Sequence, residues 1–374
     1  MRALVGLSLM PEEDFRAASA PLFAEEIVDV LEWSFDTSFD RALPAWADAL
    51  LDHYAEAGRL FGHGVHYSPL SATFEERQAR WLDALAREVE RRRYVHISEH
   101  YGFMTARPFT RGAPLAVPRG RAALEIGRER LARLHDVARC PIGIENLALA
   151  WNAEEALAHG PFLDALAGDG FVVLDVHNLY CQIANFDLDM DETLASLPLE
   201  RVAEIHVSGG SLLPAWSTAE PRVPVRCDTH DDRVPEPVFD LLARVLERSP
   251  TRVVIFERLG GTIRTAAEAE TMRDDYRRIR AIVEETSIVN AAETNVCSTK
   301  APIAFDDDRS SLAHFQEALL PLLATARTVA DVRRAFERDA RFTAYRALLD
   351  RADPRALGIA ARVVAKYARR AVSS

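Results

Sequence analysis

Lysine is almost missing from this 374-residue chain: only Lys300 and Lys366 occur, although arginine raises the basic total to 45. Residues 1–299 contain no lysine at all, an absence that bears on the function considered below. Cysteine is nearly as scarce. Cys140, Cys181, Cys227 and Cys297 are scattered with no CxxC pair, which excludes a disulfide scaffold and argues against a thiolate zinc or iron–sulfur site. Buried free thiols are the expectation. No apolar run approaches the roughly 20 residues of a membrane span. The opening MRALVGLSLMPEEDF has too short an apolar stretch for a signal peptide, so a cytoplasmic protein with no membrane association is expected. Basic excess is also absent. A formal charge of −12 argues against a nucleic-acid partner. The charge is unevenly spread: residues 326–374 carry 12 Lys and Arg against 5 Asp and Glu, a local +7 that leaves −19 on residues 1–325.

The composition that remains, 48% apolar and 27% charged, is that of an ordinary globular chain. Short apolar or β-branched runs recur along it: ALVGLSL (3–9), VDVLEWSF (28–35), LFGHGVHYS (60–68), YVHISEH (94–100), PIGIENL (141–147), GFVVLDVHN (170–178), VAEIHVSG (202–209) and RVVIFERL (252–259). Between them lie stretches such as FEERQARWLDALAREVERRR, whose apolar residues return at the helical period of three and four. TAAEAETMRDDYRRIRAIVEE follows the eighth run and opens on a threonine suited to capping a helix. Eight strands alternating with helices over about 285 residues predict an α/β fold, the (β/α)8 TIM barrel. A doubly wound open sheet is the alternative, but no Gly-rich phosphate loop follows the first strand. Residues 1–285 are therefore read as the barrel, 286–311 as a linker and 312–374 as a small helical extension, with breaks near Thr328 and Pro354.

In such a barrel, catalytic groups stand at the C-terminal ends of the strands. Here those ends are crowded with ionisable residues. The third strand offers His63 and His66, the fourth His96 and His100, and the fifth Glu145 and Asn146. The sixth offers Asp175, His177 and Asn178, the seventh Glu204 and His206, and the eighth Glu257; Asp228 and His230 lie in the loop after the seventh. In YVHISEH the period-two rule puts His96, Ser98 and His100 on one face and Glu99 on the other. A single histidine on an apolar strand is usually a hydrogen-bonded core residue. Six consecutive strands ending in His, Asp or Glu are different, because burying so many ionisable groups together costs several kcal/mol each unless positive charge is supplied. Divalent metal ions supply it. Imidazole and carboxylate donors without cysteine suit iron, manganese or zinc, and the ligands outnumber what one ion takes.

The ordered stretches GHGVHYS, HISEHYGF, GIENL, LDVHNLY, EIHVSGG, DTHDDRVPEPVFDLL and VIFERLGG resemble the motifs of the multinuclear non-haem iron-dependent oxidative enzymes. These are xylose-isomerase-like barrels that modify ribosomally made peptides. The resemblance spans roughly residues 3–285. It implies that His63, His100 and Glu145 surround one iron and that Glu145, Asp175, His206 and Glu257 surround a second. Asn178, Asp228 and His230 would hold a third, which family members do not always retain. Glu145, Asp175 and His206 form the metal-bound catalytic core in this reading, with His66, His96, His177 and Asn146 as supporting residues around the ligands and His96 deeper in the barrel. The implied cofactor is two or three iron ions, mixed Fe(II)/Fe(III), with O2 as co-substrate. The implied partners are a ribosomal precursor peptide, modified on a Cys, Asp or Asn side chain, and a separate peptide-recognition protein. A metal-dependent sugar isomerase or epimerase shares this barrel, but the aldose–ketose isomerases use a lysine near the metals. A trinuclear zinc endonuclease of the same fold would want a basic groove. In the tail, Phe315, Leu319, Leu320, Leu322 and Leu323 form an apolar stripe expected to pack on the barrel.

Overall fold

The computed structural model describes residues 2–107, 109, 114–213, 224–286 and 303–371, with side chains as far as residue 365. Eight parallel strands close into a barrel: Leu4–Leu9, Val30–Trp33, Leu60–Gly64, Ile97–His100, Ile142–Glu145, Phe171–Asp175, Val202–Ser208 and Val253–Glu257. Each pairs with its sequence neighbours, and the eighth closes on the first through Leu4 opposite Val253 to Leu7 opposite Phe256. All eight expected strands are present, most of them shorter than their apolar runs. The third ends at Gly64, which leaves His66 in the following loop, where its backbone N–H donates to Asp36. The sixth ends at Asp175, which caps the helix Val176–Phe186 by accepting from the Asn178 N–H at 2.7 Å. Motif residues that sequence alone reads as strand are thus split between a strand end and the first turn of a helix.

The helices form the outer layer because each has one apolar face. Glu76–Arg91 buries Trp81 and Leu85 and opens with a capping box between Glu75 and Gln78. Ala266–Glu285 starts with the expected threonine cap: Thr265 and Glu268 satisfy each other's backbone N–H groups. Inside the barrel, alternation sorts the strand residues. Val30, Phe61, Val253 and Ile255 make a small apolar cluster of their own. Two residues further along the same strands stand Glu32, His63 and Glu257, so the interior changes from apolar to ionisable toward the C-terminal ends.

The described residues from Arg309 onward are mostly helical. Helices Arg309–Thr325 and Val329–Arg338, a 3-10 turn Ala340–Tyr345, and helices Arg346–Asp350 and Pro354–Ala371 follow one another. Thr328 caps the second with a capping box to Asp331, and Pro354 takes the first position of the last, where its missing N–H costs nothing. The first of these helices begins at Arg309, so residues 309–311 of the expected linker are helical; most of that linker, 287–302, lies outside the described residues. Phe315, Leu319, Leu320 and Leu323 are buried and Leu322 half-buried, all within the same apolar core as the barrel's helices. Gln316 fastens the contact, accepting from the Ala72 N–H and donating to the Leu70 carbonyl, both at 2.8 Å.

Candidate metal centre

Strand register brings the ionisable residues side by side. His100 is opposite Glu145, Asp175 is opposite His206, and His206 is also opposite Ile255, two residues before Glu257. Their side chains converge at the C-terminal mouth. His63 Nε2 and His100 Nε2 each lie 3.3 Å from Glu145 Oε2 and 3.4 Å from each other. The other Glu145 oxygen, Oε1, lies 3.6 Å from His206 Nδ1, which is 3.5 Å from Glu257 Oε2. Glu257 Oε2 in turn lies 3.8 Å from His230 Nε2, and His230 contacts Asp228 closely. The ligand atoms of His63, His100 and Glu145 lie within 4.8 Å of one another, as do those of Glu145, Asp175 and His206, and of Asp175, His230 and Glu257.

Several of these separations are too long for good hydrogen bonds. They match the spacing of two ligand atoms that each sit about 2.1 Å from one ion. Glu145 Oε2, Asp175 Oδ2, Asn178 Oδ1 and His206 Nδ1 are buried and make no hydrogen bond. Leaving such atoms unpaired costs about 1–3 kcal/mol each. A shared cation removes that cost, and the donor set therefore fits metal ions.

The surroundings orient the imidazoles for this role. His100 Nδ1 lies 3.1 Å from the Gly64 carbonyl, which can only accept, so the proton is on Nδ1 and the Nε2 lone pair faces Glu145. Ser98 donates to the Gly62 carbonyl and receives His63 Nδ1–H at 2.7 Å, which fixes His63 the same way. Asn146 accepts from the Asp175 N–H at 2.7 Å and donates to its carbonyl at 3.1 Å, which locks the strand end that carries the carboxylate. His230 adopts a left-handed backbone, φ 49°, an unusual conformation for a residue with a side chain. Ser211 and Thr229, bonded to Asp231, brace its loop.

Electrostatics follow from burial. Burial and the neighbouring imidazoles of His100 and His206 hold His63 well below its ordinary value, neutral as a ligand must be. Burial drives the Asp175 carboxyl well above its usual range, with Asp228 and Glu145 adding to the effect. Burial opposes charge on His206, yet Glu32 and Glu257 outweigh it and raise its value. Carboxylates that resist ionisation beside an imidazole that attracts a proton describe a site short of positive charge.

Three residues expected as supports belong to none of the ligand groups. His96 sits deeper, against Phe61 and Phe171, in contact with Glu204. His177 is buried, with Nε2 4.0 Å from Cys181 Sγ. His66 remains in the loop after the third strand. Asn178 reaches the centre more directly, with Nδ2 3.5 Å from Glu145 Oε1. Sequence reasoning missed Glu32. It is fully buried, its Oε2 lies 3.1 Å from His206 Nε2, and its ligand atoms group with those of His63 and His206. The signal was an acidic residue in the middle of the apolar run VDVLEWSF, two residues after Val30. Glu204, on the seventh strand, contacts both His96 and His206. Cys140, Cys181 and Cys227 are free thiols, the latter two buried.

A solved relative in fold is the IOLI protein with a binding zinc atom, at TM-score 0.50 and 12% identity, covering 77% of this chain and 99% of that one. A xylose isomerase domain containing protein from Salmonella typhimurium aligns over 76% of this chain and 98% of its own, at 14% identity and TM-score 0.45. Among sequence relatives, a UPF0276 protein of Rhizorhabdus wittichii is 30% identical over 262 residues, 68% of this chain and 87% of that protein. One from Caulobacter vibrioides is 33% identical over 200 residues, 52% of this chain and 68% of its own length. Another, from Streptomyces avermitilis, is 33% identical over 188 residues, 47% of this chain but only 37% of the relative. The model of the RiPP precursor modification enzymes MbnB/TglH/ChrH matches residues 22–284, the whole span that carries the converging histidines and carboxylates, and the chain belongs to that family.

Proposed function

We propose that this protein is an O2-dependent oxidase with two or three non-haem irons that modifies a Cys, Asp or Asn side chain of a ribosomally synthesised precursor peptide. The observation that carries the reading is the set of buried, unpaired ligand atoms on Glu145, Asp175, Asn178 and His206, in a chain of a peptide-modifying family. His63, His100 and Glu145 would hold one iron, Glu145, Asp175, His206 and Glu257 a second, and Asn178, Asp228 and His230 a third. When bound, such ions supply one-electron chemistry and open positions for O2 and a substrate group.

The protein's own contribution is positional. The two oxygens of Glu145 face different histidines, which suits a bridging carboxylate. The deeper ligands Asp175 and His206 are sealed from solvent, whereas the His230 and Asp228 side chains remain 20% and 27% exposed. A peptide side chain therefore approaches from the His230 side, while the barrel wall keeps bulk water from the deeper ligands. The lack of lysine through residue 299 removes the amine an aldose–ketose isomerase would use. A separate partner protein for peptide recognition fits the same reading.

The test is purification under anaerobic conditions, metal analysis, then incubation with candidate precursor peptides encoded nearby, with and without O2. The expected result is two or three irons per chain, partly ferric, and an O2-dependent mass change on the peptide. Stoichiometric zinc with activity surviving iron removal, or anaerobic isomerisation of a sugar, would replace this reading.

A further inference from the structure

Behind the metal centre, toward the barrel floor, runs a chain of buried ionisable side chains. His206 turns Nδ1 toward Glu145 and Glu257 and Nε2 away from them, where two carboxylates meet it: Glu32 Oε2 at 3.1 Å and Glu204 Oε1 at 3.2 Å. Carboxylate oxygens accept, so the proton between them and the ring is on Nε2, and Nδ1 is the nitrogen left to offer a lone pair to an ion. The second Glu204 oxygen is in close contact with His96 Nε2. His96 is itself packed between Phe61, edge-on, and Phe171, tilted, with ring centroids 4.6 and 4.4 Å away. Glu32, Glu204 and His206 have no exposed surface, and His96 has little.

We infer that Glu204, held by His96 and assisted by Glu32, is a positioning residue that fixes His206 as an Nδ1 metal ligand. The inference rests on the metal-centre reading above and adds Glu204 and His96, which belong to none of the ligand groups, whereas Glu32 also groups with His63 and His206. Histidine ligates through either nitrogen, and the partner of the other nitrogen decides which. Without Glu204 the ring has lost one of its two anchors and can turn Nε2 toward the centre. Aromatic packing around His96 makes the far end of the chain rigid, so the orientation is passed from the barrel floor to the ligand layer. The strands set the spacing: Glu204 and His206 share one face of the seventh strand, and Glu32 reaches across from the second.

The experiment compares full-length wild type, Glu204→Gln, Glu204→Leu and His96→Gln, each stripped of metal and titrated anaerobically with Fe(II) against a competing chelator, and with Co(II) followed by its d–d absorption. Outcomes that alter binding in the folded chain, judged by circular dichroism and unfolding midpoint, are the informative ones. Glu204→Leu should weaken binding at one site by 10–100-fold and shift the Co(II) spectrum. The site built from His63 and His100 should retain its ion. Glu204→Gln, which can still accept from Nε2–H, should recover part of the loss, and His96→Gln should fall between it and wild type. Wild-type affinity and an unchanged Co(II) spectrum in folded Glu204→Leu would overturn the inference alone. Should Glu204→Leu fail to fold, the same pair of readings on Glu204→Gln and His96→Gln decides the matter. A wild-type chain that binds neither ion would remove the metal reading itself, and the inference with it.

Discussion

At the scale of single residues, Glu145 is the pivot of the centre, because its two oxygens face opposite sets of histidines. Glu145→Ala is expected to cost more than one equivalent of bound iron; loss of a single equivalent, measured against wild type, would reject the bridging role. A second residue shows how burial sets a proton's affinity far from the ligands. Burial, with the Arg119 charge adding, pushes His159 down to about 3. In the unfolded chain its value is near 6.5. Between those two values the unfolded chain binds a proton that the folded chain refuses, so stability falls as pH drops through that window. His159→Phe keeps the ring contact with Tyr101, centroids 4.3 Å apart, and removes the proton. The gap between the variant's unfolding midpoint and the wild type's should widen in the variant's favour from pH 7 to pH 4. Parallel pH profiles would show that His159 carries no such load.

Among elements, the third and fourth strands are joined through a close approach at Gly64. A methyl group there would meet the carboxyl oxygen Glu99 Oε1 at 2.1 Å, and Glu99 is fully buried with no solvent to retreat into. Gly64→Ala is expected to destabilise the fold by about 1–3 kcal/mol; an unaltered denaturant midpoint would mean that Glu99 yields freely. The helix Arg309–Thr325 depends on a different kind of joint. Gln316→Ala leaves the Ala72 N–H and the Leu70 carbonyl unpaired in a buried contact, at a cost of about 1–3 kcal/mol. Equilibrium unfolding measures that cost directly.

For the whole molecule, the question is what holds the basic tail to the acidic barrel. The ion pair of Arg351 with Glu154 at 2.6 Å is exposed, and such pairs contribute little. The apolar contact is larger: Phe315 packs edge-on against Trp151 from the barrel, and the tail's buried leucines join the common core. A chain ending near residue 290 should therefore lose thermal stability or solubility at any salt concentration. Calorimetric titration of full-length and shortened chains with the same precursor peptide separates this from a recognition role, since equal affinities would leave the tail purely structural. Among the described residues, no helix is long and apolar enough to cross a membrane.

The amino-acid sequence by itself determined the eight-strand alternation, the apolar faces of the helices, the cap at Thr265, the break near Thr328, and the ionisable residues at strand ends. All of these are local or periodic, and periodicity is written in the order of residues. Which of those ionisable residues meet was a tertiary matter. His63, His100 and His206 come from strands far apart in the chain, and only barrel closure brings their nitrogens to one carboxylate. Which nitrogen of each ring faces inward depends on partners such as the Gly64 carbonyl and Glu204, set by register rather than by sequence distance. Glu32 escaped notice for the same reason: one acidic residue in an apolar run gains its meaning from His206, 174 positions later, across the inside of a closed barrel.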